Sequence, residues 1–253
     1  MRFILPLLFV PLISLSTLAA PAKKSVEILT PRGAKIVIDL YDGAPGATRL
    51  MLLAPGQGCN ARLEMYDRLA EESQDTGVRL ARLYWAYCVA DPAKGQPSGM
   101  LENEIEDMET AIQKLATDLS LTREQIVLGG KSLGSFVSHD IFRREAKHPS
   151  LVLLTPVCSH AEKEGEPAQN YMNENYPTLA TETRPVLVVN GTSDPLCETR
   201  HLLEFLAGKG PNFKVMVTHG NHALGMTDAN GTWLDAEYTA NLKAVGRWIF
   251  SWF

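Results

Sequence analysis

The chain has 253 residues, 45% hydrophobic and 21% charged, and 29 acidic against 24 basic side chains give a formal net charge of -5. This composition suits one globular domain that buries its own core. No Lys/Arg cluster marks a nucleic-acid or anionic-membrane surface, so a polyanionic partner is disfavoured.

Met1-Arg2, the apolar run from Phe3 to Ile13, and Ser14 to Ala22 with small residues at Ala20 and Ala22 have the layout of a secretory signal peptide. The apolar run is shorter than the roughly 20 residues of a spanning helix, which disfavours an uncleaved anchor. It also holds no Cys for a lipid. Cleavage near Ala22 divides the chain into a leader, 1–22, and a single domain, 23–253, that is exported to the periplasm or secreted without stable membrane insertion. Losing Arg2 moves the net charge from -5 to about -6. Cys59, Cys88, Cys158 and Cys197 are an even set in a chain expected in an oxidising compartment, so either disulfides or four free thiols are open at this point.

Past the leader, short β-branched runs alternate with segments of helical period, the pattern of βα units around a mostly parallel sheet. Ser25 to Leu29 and Lys35 to Leu40 form an antiparallel pair turned at Pro31-Arg32-Gly33, and Arg49 to Leu53 is a strand entering Pro55-Gly56-Gln57-Gly58. A helix over Ala61 to Ser73 and a strand over Val78 to Ala86 follow. Met100 to Leu119 carries Leu101, Ile105, Met108, Ile112 and Leu115 at helical spacing, with an acidic outer face read as solvated. Gln125 to Leu128 is a strand, Leu133 to Ala146 a helix, and Leu151 to Val157, Val186 to Asn190 and Phe213 to Thr218 are strands. The long irregular stretch from Ser159 to Arg184 is a short cap or loop. Ala236 to Phe253 closes the chain as an amphipathic helix whose Trp248, Ile249, Trp252 and Phe253 are expected in the core.

The chemistry begins at Gly130-Lys131-Ser132-Leu133-Gly134, where an apolar strand meets a helix at Gly-x-Ser-x-Gly. Ser132 would sit on a strained strand-to-helix turn, and glycines two before and two after it would let neighbouring backbone approach. A serine hydroxyl needs a general base, and the base needs an acid to fix its tautomer. Asp194, just past the strand Val186 to Asn190, is the acid. The alternative is that it opens a turn before Pro195 and caps a helix beginning near Leu196, and the two roles are not exclusive.

Two histidines, His219 and His222, follow the last strand. His222 is preferred as base because Gly220-Asn221 lets the loop fold back over the sheet edge. His139, His148 and His160 read as surface or packing residues and His201 as part of a helix. None has a second ligand at metal spacing, so no metal and no cofactor is implied. Donors for a developing oxyanion would be the N–H of Leu133 and that of Gln57, with Gly58 in reserve. Asn190-Gly191-Thr192 and Asn230-Gly231-Thr232 match the glycosylation pattern and are assigned no role.

With elbow, acid and histidine in this order, the mature chain resembles the α/β-hydrolase superfamily, in its small dienelactone-hydrolase-like branch. Gly129-Gly130-Lys131-Ser132-Leu133-Gly134-Ser135 is similar to the Gly-Gly-Arg/Lys-Ser-Met-Gly pattern of a predicted-hydrolase subgroup with a serine nucleophile. Pro55 stands where that family usually places a His-Gly turn. The resemblance implies an α/β-hydrolase fold with helices on both faces of the sheet and a minimal cap. It places the third strand between the fourth and fifth and the sixth beside the seventh, which pairs Cys59 with Cys88 and Cys158 with Cys197. It also implies a serine hydrolase cleaving a small carboxylic ester or thioester through an acyl-enzyme on Ser132. A catalytically weak scaffold of the same shell, or an amide or peptide hydrolase with the same triad, are the alternatives.

Overall fold

The structure is a computed structural model that describes residues 22–59, 64–161 and 166–253. The expected leader lies outside the described residues except for Ala22. Apolar runs bounded by turn residues form eight strands: β1 Lys23–Leu29, β2 Lys35–Tyr41, β3 Arg49–Ala54, β4 Val78–Tyr84, β5 Ile126–Lys131, β6 Leu151–Leu154, β7 Val186–Gly191 and β8 Phe213–Thr218. The helices are α1 Glu64–Ser73, α2 Ala86–Ala90, α3 Glu102–Asp118, α4 Leu133–Arg144, α5 Met172–Asn175, α6 Thr199–Leu206 and α7 Asp235–Phe250.

The strands join in one sheet ordered β1-β2-β4-β3-β5-β6-β7-β8. The pairs β1–β2 and β2–β4 are antiparallel and every other pair is parallel. This is an α/β-hydrolase fold, with the strand order that the resemblance implied. Because side chains alternate along a strand, Leu50, Leu52, Ile126 and Leu128 join the core under α3 and α4. Met51, Leu53 and Val127 join the core under α1 and α7. Each such side chain stabilises the fold by about 1.5–3 kcal/mol on burial. Two covered faces leave the carboxyl edge of the parallel strands as the open end, where loops can carry side chains to one place.

Several expected boundaries move for local reasons. The strand expected to run to Val157 stops at Leu154, because Thr155 takes φ 42° and Pro156 follows. The strand expected to Ala86 ends at Tyr84, with Trp85 leading into α2. The helix expected near Leu196 begins at Thr199. Past β6 the cap is small: Ser159–His160 pairs with Gln169–Asn170, followed by α5 and a turn of 3-10 helix at Leu179–Thr181.

Two packing expectations need correction. The acidic face of α3 is only partly solvated: Glu104 and Asp107 are buried. Glu104 accepts the Ser98 hydroxyl at 2.6 Å, while Asp107 accepts the Ala86 N–H at 2.8 Å and pairs with Arg32. Asp107 thus fastens the β1–β2 turn and the segment after β4 to α3, while Glu104 ties the loop before α3 to the helix. The aromatic stripe at the C-terminus is core only in part. Ile249 is buried, but Trp252 lies beyond the last turn of α7 and is 46% exposed, with the Lys214 ammonium 5.0 Å from its ring centre.

Candidate active site

Ser132 joins β5 directly to α4 and takes φ 52°, ψ -120°, a left-handed conformation that is strained for a residue with a side chain. The neighbouring backbone makes that turn possible. A Cβ on Gly130 would collide with the Gly134 carbonyl, and one on Gly134 would meet the carbonyls of Ala54 and Pro55. Both glycines are therefore needed for close approach. The elbow is further tied by Ser132 N–H donating to the Leu154 carbonyl at 3.1 Å. The Ser135 hydroxyl donates to the Ser132 carbonyl and lies 2.6 Å from the Tyr176 hydroxyl, which accepts the Val157 N–H at 3.2 Å. Tyr176 thus links the segment after β6 to the elbow. Burial pushes its phenol pKa up, which keeps it a neutral donor.

Asp194 lies three residues beyond β7 and His222 four beyond β8, at the same sheet edge as Ser132. His222 Nδ1 is 2.9 Å from both oxygens of the buried Asp194 carboxylate. A carboxylate only accepts, so Nδ1 carries a proton. Nε2 is buried and has no hydrogen-bond partner among the described residues. The Asp194 Oδ1 also accepts the Leu196 N–H at 2.9 Å, so the turn-forming role and the contact with histidine coexist. His219 is exposed, and its backbone carbonyl is the group that is engaged.

Other chain segments hold these loops. The Ser193 N–H and hydroxyl both donate to the Gly220 carbonyl at 2.9 Å. Asn241 of α7 donates to the carbonyls of His219, at 2.7 Å, and Leu224, at 2.9 Å, and accepts the Thr218 hydroxyl. One amide thereby clamps both ends of the histidine loop. A disulfide joins Cys158 to Cys197, with Cα atoms 4.6 Å apart, and Cys158 N–H donates to the Leu196 carbonyl at 2.8 Å. The acid loop is thus fastened to the end of β6.

The loop after β3 forms the facing wall. A Cβ on Gly56 would stand 3.3 Å from the Ser132 Cβ and 3.8 Å from its Oγ, so Gly56 abuts Ser132. The Trp85 indole N–H is shared between the carbonyls of Pro55, at 3.2 Å, and Gly56, at 3.3 Å. The Tyr87 hydroxyl donates to the Gln57 carbonyl at 2.7 Å. Gln57 and Gly58 are exposed, and the Gln57 side chain bonds to Gln96. With the Gly56 carbonyl held by Trp85, the trans peptide turns the Gln57 N–H to the opposite side. Leu133 is the first residue of α4, and its N–H belongs to the first turn, which an α-helix leaves without intrahelical acceptors. A disulfide joins Cys59 to Cys88, with Cα atoms 5.1 Å apart, and closes this wall. Two disulfides fit a protein that folds in an oxidising compartment.

Sequence reasoning gave no role to Tyr176 or Asn241, and no signal pointed to them, since their partners are far away in sequence. Of the two glycosylation-pattern asparagines, Asn190 is fully buried and its amide donates to the Gly191 and Cys197 carbonyls, which leaves it closed to modification. Among the described residues no group of three or more metal-type ligands gathers, and no helix is long and apolar enough to cross a membrane.

The fold, with a nucleophile-elbow turn and an Asp–His pair at its open edge, is that of an α/β hydrolase. Residues 47–250 match the family model described as an alpha/beta hydrolase domain, and the chain belongs to that family, which makes it a hydrolase enzyme by family. None of the curated proteins matches the chain at a significant level. Among solved structures it is similar to an alpha-beta serine hydrolase homologue from Coxiella burnetii, at 16% identity and TM-score 0.65, covering 89% of this chain and 96% of that one. It is also similar to the esterase domain of a Rhodothermus marinus protein, at 14% identity and TM-score 0.64, covering 91% and 97%. A third is a serine hydrolase without a lid from Xanthomonas campestris, at 12% identity and TM-score 0.61, covering 91% and 95%. At these identities the likeness speaks to fold.

Proposed function

We propose that the protein is an exported serine hydrolase that cleaves a small carboxylic ester or thioester through an acyl-enzyme on Ser132. The observation that carries this reading is the 2.9 Å contact of His222 Nδ1 with the buried Asp194 carboxylate, which leaves Nε2 free at the sheet edge that also bears Ser132. Ser132 Oγ adds to the substrate carbonyl carbon as its proton passes to Nε2. The tetrahedral intermediate then expels its leaving group with that proton. Water adds to the acyl-enzyme by the same route and frees Ser132. The N–H groups of Leu133 and Gln57 would receive the oxyanion.

The small cap, and the lidless Xanthomonas neighbour, favour accessible acyl substrates over emulsified lipid. Export through a leader over 1–22 is supported by the composition of that segment and by the two disulfides. The test is hydrolysis of p-nitrophenyl acetate and butyrate by purified protein. Wild type is expected to turn over both, and Ser132→Ala and His222→Ala neither. Equal rates for wild type and Ser132→Ala, with both proteins folded, would refute the reading.

A further inference from the structure

The sheet has two outer strands, and they are finished differently. β1 carries three charged side chains among seven residues, with Lys23 paired to Asp39 and Glu27 to Lys35. Charges along an outer strand discourage another strand from pairing with it. β8 ends the sheet on the other side with a single charge, Lys214, among six residues. The Lys214 ammonium lies over the Trp252 ring on the α7 face, while Phe213, Val215 and Met216 are half-buried and Val217 is exposed. An apolar outer strand of this kind invites pairing.

The backbone of β8 shows which groups are open. Val186 N–H donates to the Asn212 carbonyl and Thr192 N–H to the Thr218 carbonyl, so the even-numbered residues of β8 bond to β7. By alternation, Phe213, Val215 and Val217 turn their N–H and C=O groups outward. The Phe213 N–H is taken by the Gly210 carbonyl at 3.2 Å. Side chains alternate too: Phe213 and Val215 pack toward the core under α3 and α4, Met216 toward the core under α1 and α7.

We infer that β8 is a self-association strand, against which a second copy of this chain pairs antiparallel about a two-fold axis through Met216. Such an axis, perpendicular to the sheet, keeps each face on its own side, so it must pass through a residue and not between two. An axis through Lys214 would set the two ammonium groups opposite each other, which is destabilising. One through Val215 would aim the Val217 carbonyl at the Phe213 N–H that Gly210 already holds. Axes nearer either end pair fewer residues of the strand. With Met216 on the axis, Val215 stands opposite Val217 of the second copy, and the N–H and C=O of both residues bond across the junction. Lys214 then faces Thr218, and the two Met216 side chains meet on the face that also holds Trp248. The two eight-stranded sheets become one. The charged β1 at each far end stops the assembly at two copies. The rotation sends the two carboxyl edges to opposite ends of the joint sheet, so neither candidate site is covered.

Two measurements test the inference. In the first, the mature protein is followed by sedimentation velocity from micromolar to millimolar concentration, beside Val217→Lys and Leu29→Lys. Both substitutions fall on exposed side chains, so the fold is expected to survive, as circular dichroism would verify. Wild type and Leu29→Lys, on β1, should sediment as dimers. Val217→Lys sets an ammonium against Val215 of the second copy and should raise the dissociation midpoint by about tenfold or more. A wild type that stays monomeric throughout would overturn the inference and leave the strand to another protein. Dimers lost in Leu29→Lys and kept in Val217→Lys would overturn it in favour of β1.

The second measurement tests the register. Opposed residues on the axis that do not exchange hydrogen bonds have Cα atoms about 4.5 Å apart, within the span of a disulfide. Met216→Cys, oxidised with copper phenanthroline, should therefore cross-link two chains, and Lys214→Cys should not. Cross-linking of Lys214→Cys with none in Met216→Cys would overturn the pairing about Met216.

Discussion

The two halves of the site are built in opposite ways. Ser132 is placed by continuous chain: the last residue of β5, one strained residue and the first turn of α4, with glycine spacing letting neighbouring backbone close in. Asp194 and His222 hang on loops, and their mutual position depends on the Cys158–Cys197 bridge, on Ser193 bonding to Gly220 and on Asn241 in the last helix. Local covalent geometry fixes Ser132, whereas long-range contacts assemble the Asp194–His222 pair. Changes in the first half should therefore act on folding of the elbow, and changes in the second on the working geometry of the pair.

The sharpest break in the second half is Asp194→Asn, which keeps the size of the side chain but can reverse the imidazole tautomer. The labelling rate should fall on the order of 10^3–10^4-fold with an unchanged circular dichroism spectrum. A loss under tenfold would remove Asp194 from the mechanism. Next comes the bridge: Cys158→Ser with Cys197→Ser releases a constraint across 39 residues and should lower stability by about 4 kcal/mol in denaturant melts. Residual activity at low temperature should fall with it, since the acid loop is then held by hydrogen bonds alone.

In the nucleophile half, Gly134→Ala drives a methyl into the Ala54 and Pro55 carbonyls and should destabilise by about 3 kcal/mol. A neutral result would show that α4 can slide away from β3. The smallest expected effect is that of Asn241→Leu, which orphans two carbonyls and should lower stability by about 1–3 kcal/mol while slowing labelling. Unchanged labelling would mean that the histidine loop holds itself.

This division also explains what could be read from the sequence. The elbow and the acid and histidine positions follow strand ends, which apolar runs and turn residues mark locally, whereas the strand order is what the family resemblance implies. Asp194 and His222, picked by their places after β7 and β8, meet in one hydrogen-bonded pair. Gly56 abuts Ser132, and its carbonyl is held by Trp85, which follows β4, a contact that nothing near Gly56 in the chain reveals. Asn241 and Tyr176 could not be foreseen, because nothing near them in the chain reveals the carbonyl or hydroxyl they serve. The buried Glu104 and Asp107 were read as solvated for the same reason: helical spacing gives a face, but not the loop that covers it.

The central claim is that Ser132 is a nucleophile activated by His222. It is tested most directly by treating purified protein with a fluorophosphonate and mapping the adduct by peptide mass spectrometry. The account predicts one adduct, on Ser132, that is absent in Ser132→Ala and reduced at least a thousandfold in rate in His222→Ala. A folded wild type without an adduct, or an adduct on another residue that survives Ser132→Ala, would contradict it.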